Sequence, residues 1–503
     1  MHEKNDNGGL SVKRIVTAMQ MRALERAYME KTDLSSDELM LRAARALTDE
    51  LCVRLGGAQG RICVFACGNG GNGGDGYAAA RMFAEGGGRS ILLDVAPELP
   101  RRPDAARMRR RALEHANVWQ GVDFASMPRP HAWVDSVFGI GLSRAPSEEI
   151  AALFERMEQD RRQGSLVLSC DIPSGLHADS GAAPGAFVRA DCTVTFEYPK
   201  PGHYLGRGMD VCGQLVVRSI GIGPSFLPQE SIGLCEAADI APACAPRPHD
   251  SHKGTYGHLL VVAGSLGMAG AAALCTGAAL RSGAGLVSVA CPASIVPVLQ
   301  TLEPCAMCIP LLEENGALCA GAVPALREAL CGKSAVAIGP GLSRRCAPEV
   351  VRCALESELP LVLDADALNL LAQERSLLAL LSERCLLTPH PGEAARLVGP
   401  AAEPLQSLQA LRSLGCTALL KGAATLVSGP EGVQMSTSGC PGMARGGSGD
   451  LLTGIAGALL ARGFAPQQAA CIASEAHGLA GERAAARIGE TGMTAQDILG
   501  ALP

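Results

Sequence analysis

What most constrains this chain is one recurring local pattern. A short, mostly apolar run of strand-forming residues leads into a loop bearing glycine or aspartate, and a helical stretch follows. Residues 62–66 run into 67–76, residues 133–135 into 138–144, and residues 166–170 into 171–175. A second series opens at 259–263, with loops at 339–343, 364–369, 388–393 and 421–425. Apolar runs without polar alternation are strands covered on both faces, and helices between them make the strands parallel. The expected class is α/β. In such sheets ligands bind at the loops that leave the carboxyl ends of the strands.

The pattern breaks between residues 224 and 252, which hold Pro224, Pro228, Pro242, Pro246 and Pro248 and no long periodic segment. That places a first domain at 1–225, a linker at 226–250 and a second domain at 251–503, with residues 1–15 expected to be flexible. A length of 503 residues is enough for two sizeable cores. With a net charge of −6 and 3% aromatics, the chain lacks the basic excess and the stacking platforms that nucleic acid requires. Its polar start carries no export signal, and the longest uncharged stretch, 254–280, is interrupted by glycines. Neither a leader nor a membrane span is expected. The 20 cysteines are scattered singly through apolar runs, as buried thiols are in a reducing cytoplasm. Cys305 and Cys308 make a C-x-x-C with no second pair at zinc spacing.

In the first domain Gly68, Gly70 and Gly73 satisfy G-x-G-x-x-G between a strand and an expected helix from Tyr77. Asp94 stands where a ribose-binding carboxylate would. Asp75 in the same loop opposes a plain pyrophosphate cradle, because a carboxylate there repels phosphate unless a cation intervenes. Asn72, Asp135 and Ser174 lie in three loops that a parallel sheet brings to one edge, where they can converge as hard oxygen ligands. Asp171 is then left for proton transfer. Taken singly, Asp135 or Asp171 would serve equally as a helix cap.

The segments G-N-G-G-N-G-G-D-G (68–76), D-S-V-F-G-I-G-L-S-R (135–144) and C-D-I-P-S-G-L-H-A-D-S-G (170–181) resemble the motifs of the NAD(P)H-hydrate epimerases. So do residues 17–22, Leu39-Met40, Val194-Thr195-Phe196 and Lys200-Pro201-Gly202, and the resemblance covers residues 16–223. It implies a Rossmann-like three-layer αβα domain that epimerises the hydroxyl-bearing carbon of the hydrated nicotinamide ring, with a bound potassium ion. Carried over by position, potassium falls on Asn72, Asp135 and Ser174. Substrate falls on Gly71, Asn72, Gly73, Gly74 and Asp75, on Gly139, Ile140, Gly141, Leu142, Ser143, Arg144 and Ala145, and on Asp171, the implied acid-base group. Two positions depart from the pattern. Gly71 replaces the first of two adjacent asparagines, and Leu41 replaces a glutamate.

The sharpest signal in the second domain is G-M-A-R-G-G-S-G-D (442–450) leading into an apolar helix. Small residues at a helix start let successive N–H groups surround a phosphate, and the dipole favours an ionised carboxylate in the first turn. An aspartate at that place can take a proton from a hydroxyl while phosphate is transferred to it. His390 alone would more often be a satisfied loop histidine, and Asp364 and Glu393 are candidates to reach magnesium through water. With H-K-G-T-Y-G (252–257) and T-P-H-P-G-E (388–393), this half resembles the ribokinase-like ADP- or ATP-dependent NAD(P)H-hydrate dehydratases. The resemblance implies hydrate contacts at Ala271, Gly341, His390 and Asp450, with Asp450 as base. Nucleotide contacts are implied at Lys421, Gly422, Ala423, Ala424, Thr425 and Gly449. ADP with magnesium is the expected donor.

Together the halves imply a cytoplasmic bifunctional repair enzyme, homo-oligomeric, acting on NADH and NADPH hydrates. Three alternatives are a small-molecule kinase, a non-catalytic nucleotide-binding scaffold and a dehydrogenase using the first glycine loop. Asp171 and Asp450 oppose the scaffold, and Asp75 opposes the dehydrogenase.

Overall fold

The computed structural model describes residues 14–95, 101–121, 124, 127–142 and 144–503. The chain divides into two compact units, with the division between Ile232 and Gly233. Within residues 226–250, Phe226 and Leu227 pack on the core of the first unit, and Ile240 and Ala243 on that of the second.

The first unit is built on a seven-stranded sheet. Its strands are β1 (Ile62–Cys67), β2 (Arg89–Asp94), β3 (Val118–Gly121), β4 (Ala132–Ser136), β5 (Leu166–Cys170), β6 (Cys192–Phe196) and β7 (Gln214–Arg218). They lie in the order β3-β2-β1-β4-β5-β6-β7, every neighbouring pair parallel. The chain turns from one half of the sheet to the other between β1 and β4, which opens a crevice at their carboxyl ends. β4 and β6 are buried at every position, their polar residues Asp135, Ser136, Thr193 and Thr195 included, because both faces of the sheet are covered. The helix Gly71–Glu85 begins six residues earlier than the expected Tyr77. Glycine makes this start possible: a Cβ at Gly73 would sit 1.9 Å from the Gly68 carbonyl oxygen.

The main strands of the second unit are β8 (His258–Val262), β9 (Leu286–Pro292), β10 (Met307–Leu311), β11 (Ala335–Ile338), β12 (Leu361–Leu363), β13 (Cys385–Leu387), β14 (Thr417–Leu420), β15 (Thr425–Gly429) and β16 (Gly432–Ser436). Their order is β16-β15-β14-β13-β12-β11-β8-β9-β10. From β10 to β14 the pairing is parallel, and β15 and β16 follow on that side as antiparallel strands. Reversal of strand order between β8 and β11 opens the crevice here. The helix Ser448–Ala461 is buried along most of its length, so its amino end is carried on a rigid core element. Both units are thus α/β with parallel sheets. Among the described residues no helix is long and apolar enough to cross a membrane.

Candidate active sites

Three loops of the first unit converge on Phe138. The Asn72 side-chain amide donates to the Phe138 carbonyl at 3.0 Å. The Phe138 N–H donates to Ser174 Oγ at 2.8 Å, and Ser174 Oγ in turn donates to Asp135 at 2.5 Å. Asp135 is fully buried, and it also accepts from Ser169 Oγ and the Ser174 N–H. Burial pushes its carboxyl up against the pull of these hydrogen bonds. Asn72 Oδ1 is buried and has no partner among the described residues, and a buried acceptor left unpaired is costly. The resulting donor set is all oxygen, the chemistry of a hard cation.

Asp171 stands immediately after β5 in the left-handed region, at φ 63°. Such a conformation persists in a non-glycine residue only when its surroundings hold it. The His203 ring, pushed down to about 4 by burial and by Lys200 and therefore neutral, places Nε2 2.8 Å from the Asp171 carbonyl oxygen. The carboxylate accepts from Lys200 Nζ at 2.5 Å and from Thr195 Oγ1 at 2.9 Å. Burial alone would raise the Asp171 carboxyl. The Lys200 ammonium, itself 1% exposed, outweighs burial and holds the carboxyl below its ordinary value. Asp171 lines a cavity of about 1110 Å³ together with Asn72, Asp75 and Glu25. Burial pushes the carboxyls of Asp75 and Glu25 up, and the charge of Asp171 adds to that shift. One cavity therefore holds an ionised carboxylate beside carboxyls that favour the proton.

In the second unit the reacting edge is organised by Asp364, immediately after β12. It is 1% exposed, and it accepts from Lys421 Nζ at 2.6 Å and from Thr453 Oγ1 at 2.7 Å. Thr453 lies one turn into the helix Ser448–Ala461, so this hydrogen bond ties the helix start to the ends of β12 and β14. Gly447 precedes the helix at φ 90°, where a side chain would be strained, and no side chain caps the helix. The first-turn N–H groups thus point outward, as an anion site requires. Asp450 sits in that turn. Burial first, and then the negative charge of Asp364, push its carboxyl up to about 7, against the pull of Lys421.

Comparison with known proteins agrees with both halves. A family model described as NAD(P)H-hydrate dehydratase matches residues 259–503, and one described as YjeF-related protein N-terminus matches residues 36–202. The bifunctional NAD(P)H-hydrate repair enzyme Nnr of Coxiella burnetii is 36% identical over 497 residues, covering 95% of this chain and 96% of that protein. Its Escherichia coli counterpart is also 36% identical, covering 96% and 92%. The chain belongs to the family of bifunctional NAD(P)H-hydrate repair enzymes. Among solved structures, a Bacillus subtilis ADP/ATP-dependent NAD(P)H-hydrate dehydratase co-crystallised with ATP and magnesium is 28% identical. It covers 53% of this chain and 95% of its own, with a TM-score of 0.42.

The remaining positions singled out from the sequence fall as follows. Gly71, Gly139, Ile140, Gly141, Leu142, Arg144 and Ala145 line the cavity of the first unit. Gly73 and Gly74 are buried behind it, and Ser143 lies outside the described residues. Asp94 is not free to bind a ribose: Arg101, Arg109 and the Tyr77 hydroxyl engage its carboxylate. In the second unit Gly341 packs against Ala271, its missing Cβ only 3.0 Å from that of Ala271. Lys421 to Ala424 form the turn between β14 and β15, and Thr425 opens β15. A Cβ at Gly449 would lie 3.2 Å from Lys421 Nζ, which brings together the two segments expected to contact nucleotide. His390 caps the helix Pro391–Val398, with Nδ1 accepting from the Gly392 N–H at 3.0 Å. The His390 N–H in turn donates to Glu393 Oε2 at 2.9 Å. Sequence reasoning named Lys200 and Thr195 only as motif letters, and it missed Glu25, His203 and Thr453 altogether. A lysine and a threonine next to a strand end facing a candidate base were the available signal for the first two.

Proposed function

We propose that this chain interconverts the R and S hydrates of NADH and NADPH at its first site and dehydrates the S form at its second. The donor for the second reaction is ADP with magnesium, and the products are NAD(P)H, AMP and phosphate. The observation that carries this reading is the contrast between two aspartates at two separate sheet edges. One is held ionised by a buried lysine, and the other is poised near neutrality beside an anion-binding helix end.

In the first site Asp171 is the base that takes a proton from the substrate, and Lys200 and Thr195 keep it ionised and aimed. Asn72, Asp135 and Ser174 would hold potassium, and the unpaired Asn72 oxygen fits that role. The ion would supply a fixed positive charge beside the bound hydrate. In the second site Asp450 takes the proton of the ring hydroxyl as that oxygen accepts the β-phosphoryl group. Phosphate then leaves with the C–O electron pair, a proton leaves the neighbouring carbon, and the ring double bond re-forms. Phosphate leaves far more readily than hydroxide, the chemical reason for spending a nucleotide on a dehydration. A pKa near 7 suits Asp450 to accept a proton at neutral pH. Ala271, Gly341 and His390 would contact the hydrate. Lys421 to Thr425 and Gly449 would contact the nucleotide, whose magnesium Asp364 and Glu393 would reach through water. The enzyme would work in the cytoplasm as a homo-oligomer.

The test uses mixed R and S hydrates of NADH with ADP and magnesium, following the return of NADH absorbance. Wild type should convert both epimers. Asp171→Ala should stop at the S fraction, apart from slow spontaneous epimerisation, and Asp450→Ala should give no NADH. Failure of wild type with both ADP and ATP would overturn the reading and favour a small-molecule kinase.

A further inference from the structure

The helix Ala18–Thr32 supplies one wall of the first unit's cavity. Arg22, Glu25 and Met29 follow one another at three and four residues, the spacing of a single helical face, and all three line the cavity. Arg22 ties this wall to the loop after β4, its Nη2 donating to the Ile140 carbonyl at 3.2 Å. Glu25, in the middle of the face, is half-buried, and no described residue donates a hydrogen bond to it. The cations that act on it are spent elsewhere: Lys200 on Asp171, Arg102 on Asp104 and Arg22 on Ile140. A carboxyl in a cavity with no committed counterion favours its protonated form. Burial and the charge of Asp171 accordingly push Glu25 up, against the pull of Lys200, Arg102 and Arg22. Its carboxyl O–H is a free donor in the same cavity as the ionised Asp171.

We propose that Glu25 is the acid of the first site, giving its proton to the ring nitrogen of the hydrate while Asp171 takes the proton of the adjacent hydroxyl. This inference rests on the epimerase reading and deepens it. The hydroxyl-bearing carbon is also bonded to the ring nitrogen. When the hydroxyl loses its proton to Asp171, its O–H pair forms an aldehyde C=O. The C–N bond breaks, and its pair goes to the nitrogen, which takes the Glu25 proton. Rotation beside the aldehyde carbon turns its other face to the nitrogen. Closure there returns one proton to Glu25 and one from Asp171 to oxygen, so both carboxyls end as they began and nothing is consumed. Ring opening thus needs an ionised base and a protonated acid at once, the pair this cavity holds. Loss and return of water would begin with the acid alone and leave the ionised Asp171 no proton to take until water returned. Asp75 also faces Glu25 and also favours its proton. It stands one turn from the amino end of the helix Gly71–Glu85, where the dipole favours the ionised form. Glu25 is in the middle of its helix, and no helix end opposes its proton.

The experiment follows epimerisation of the R hydrate of NADH by the full chain, without nucleotide, across pH. Glu25→Gln keeps the size of the side chain and removes its acid. It should lower kcat about a hundredfold or more with KM little changed, and Glu25→Asp should recover part of the loss. In wild type, kcat/KM should fall as pH rises through the raised pKa of Glu25, because the acid must hold its proton. That fall should vanish in Glu25→Gln and persist in Glu25→Asp and in Asp75→Asn. Dehydration of the S hydrate by the same preparation, with a melting curve, checks that each variant folds. In water enriched in heavy oxygen, wild type should epimerise without taking label into the ring hydroxyl at each turnover. Unchanged kcat in Glu25→Gln, or an alkaline fall that follows Asp75 instead, would overturn the assignment. One label gained per epimerisation would overturn ring opening. Absence of epimerisation by wild type would instead overturn the reading on which the inference rests.

Discussion

The two sites place a candidate aspartate base at a sheet edge in opposite ways. Asp171 is buried, but its charge is matched by the equally buried Lys200 at 2.5 Å, and Thr195 and His203 fix its carboxylate and backbone. Among the described residues Asp450 has no such partner. The nearby ammonium of Lys421 is already committed to Asp364, so Asp364 contributes its charge while withholding its counterion. The first arrangement gives a base that stays ionised well into acid. The second gives a base that both holds and releases a proton near neutrality. Stability follows the same division. Asp171 supports the fold through a satisfied pair, whereas the ionised form of Asp450 is a cost carried for function.

The sharpest way to break this comparison is Asp450→Asn. Dehydration should fall about a thousandfold, the usual size of a lost general base, while epimerisation is unchanged. The stability sign can be worked out. The folded-state pKa of Asp450 is raised, so its protonated form stabilises the fold, and that contribution is lost as pH rises from about 4 through about 7. Asp450→Asn should therefore melt higher than wild type above neutral pH and equally in acid.

Asp171→Asn should abolish epimerisation and, unlike Asp450→Asn, destabilise the first unit. It leaves a buried ammonium unpaired, a loss of about 3 kcal/mol, readable by denaturant unfolding at neutral pH. Here the folded pKa is depressed, so the stabilisation is present above the ordinary aspartate range and lost as pH falls. The difference between wild type and variant should shrink in acid.

Asp364→Asn sharpens the second half of the comparison. It removes a negative neighbour of Asp450 and releases Lys421, and both changes favour the ionised Asp450. The acid limb of kcat/KM for dehydration should move to lower pH, alongside a weaker maximal rate. The smallest effect expected is that of Thr195→Val. It removes one of two hydrogen bonds to the Asp171 carboxylate at a stability cost of about 1 kcal/mol, with a several-fold loss of epimerase kcat.

Much of this was legible in the sequence. Strands β1, β4, β5 and β8 announce themselves as apolar runs, because both faces of a parallel sheet are covered. Asn72, Asp135, Ser174 and Asp171 could be grouped because topology alone brings their loops to one edge. The start of the helix Gly71–Glu85 was not legible, since glycines that look like a loop are there to let the first turn approach Gly68. Nor was the fate of Asp94, whose arginine partners come from a helix and a segment further along the chain. The opposed ionisation of Asp171 and Asp450 was equally hidden, because it depends on which carboxylate each lysine reaches in three dimensions.

The most direct test of the central contrast is a pair of pH profiles measured on one preparation of wild type. Epimerisation would be followed with the R hydrate and no nucleotide, and dehydration with the S hydrate, ADP and magnesium. The account predicts that kcat/KM for dehydration falls tenfold per pH unit below about 7 while epimerisation persists at least to pH 5. A shared acid limb for both reactions would contradict it.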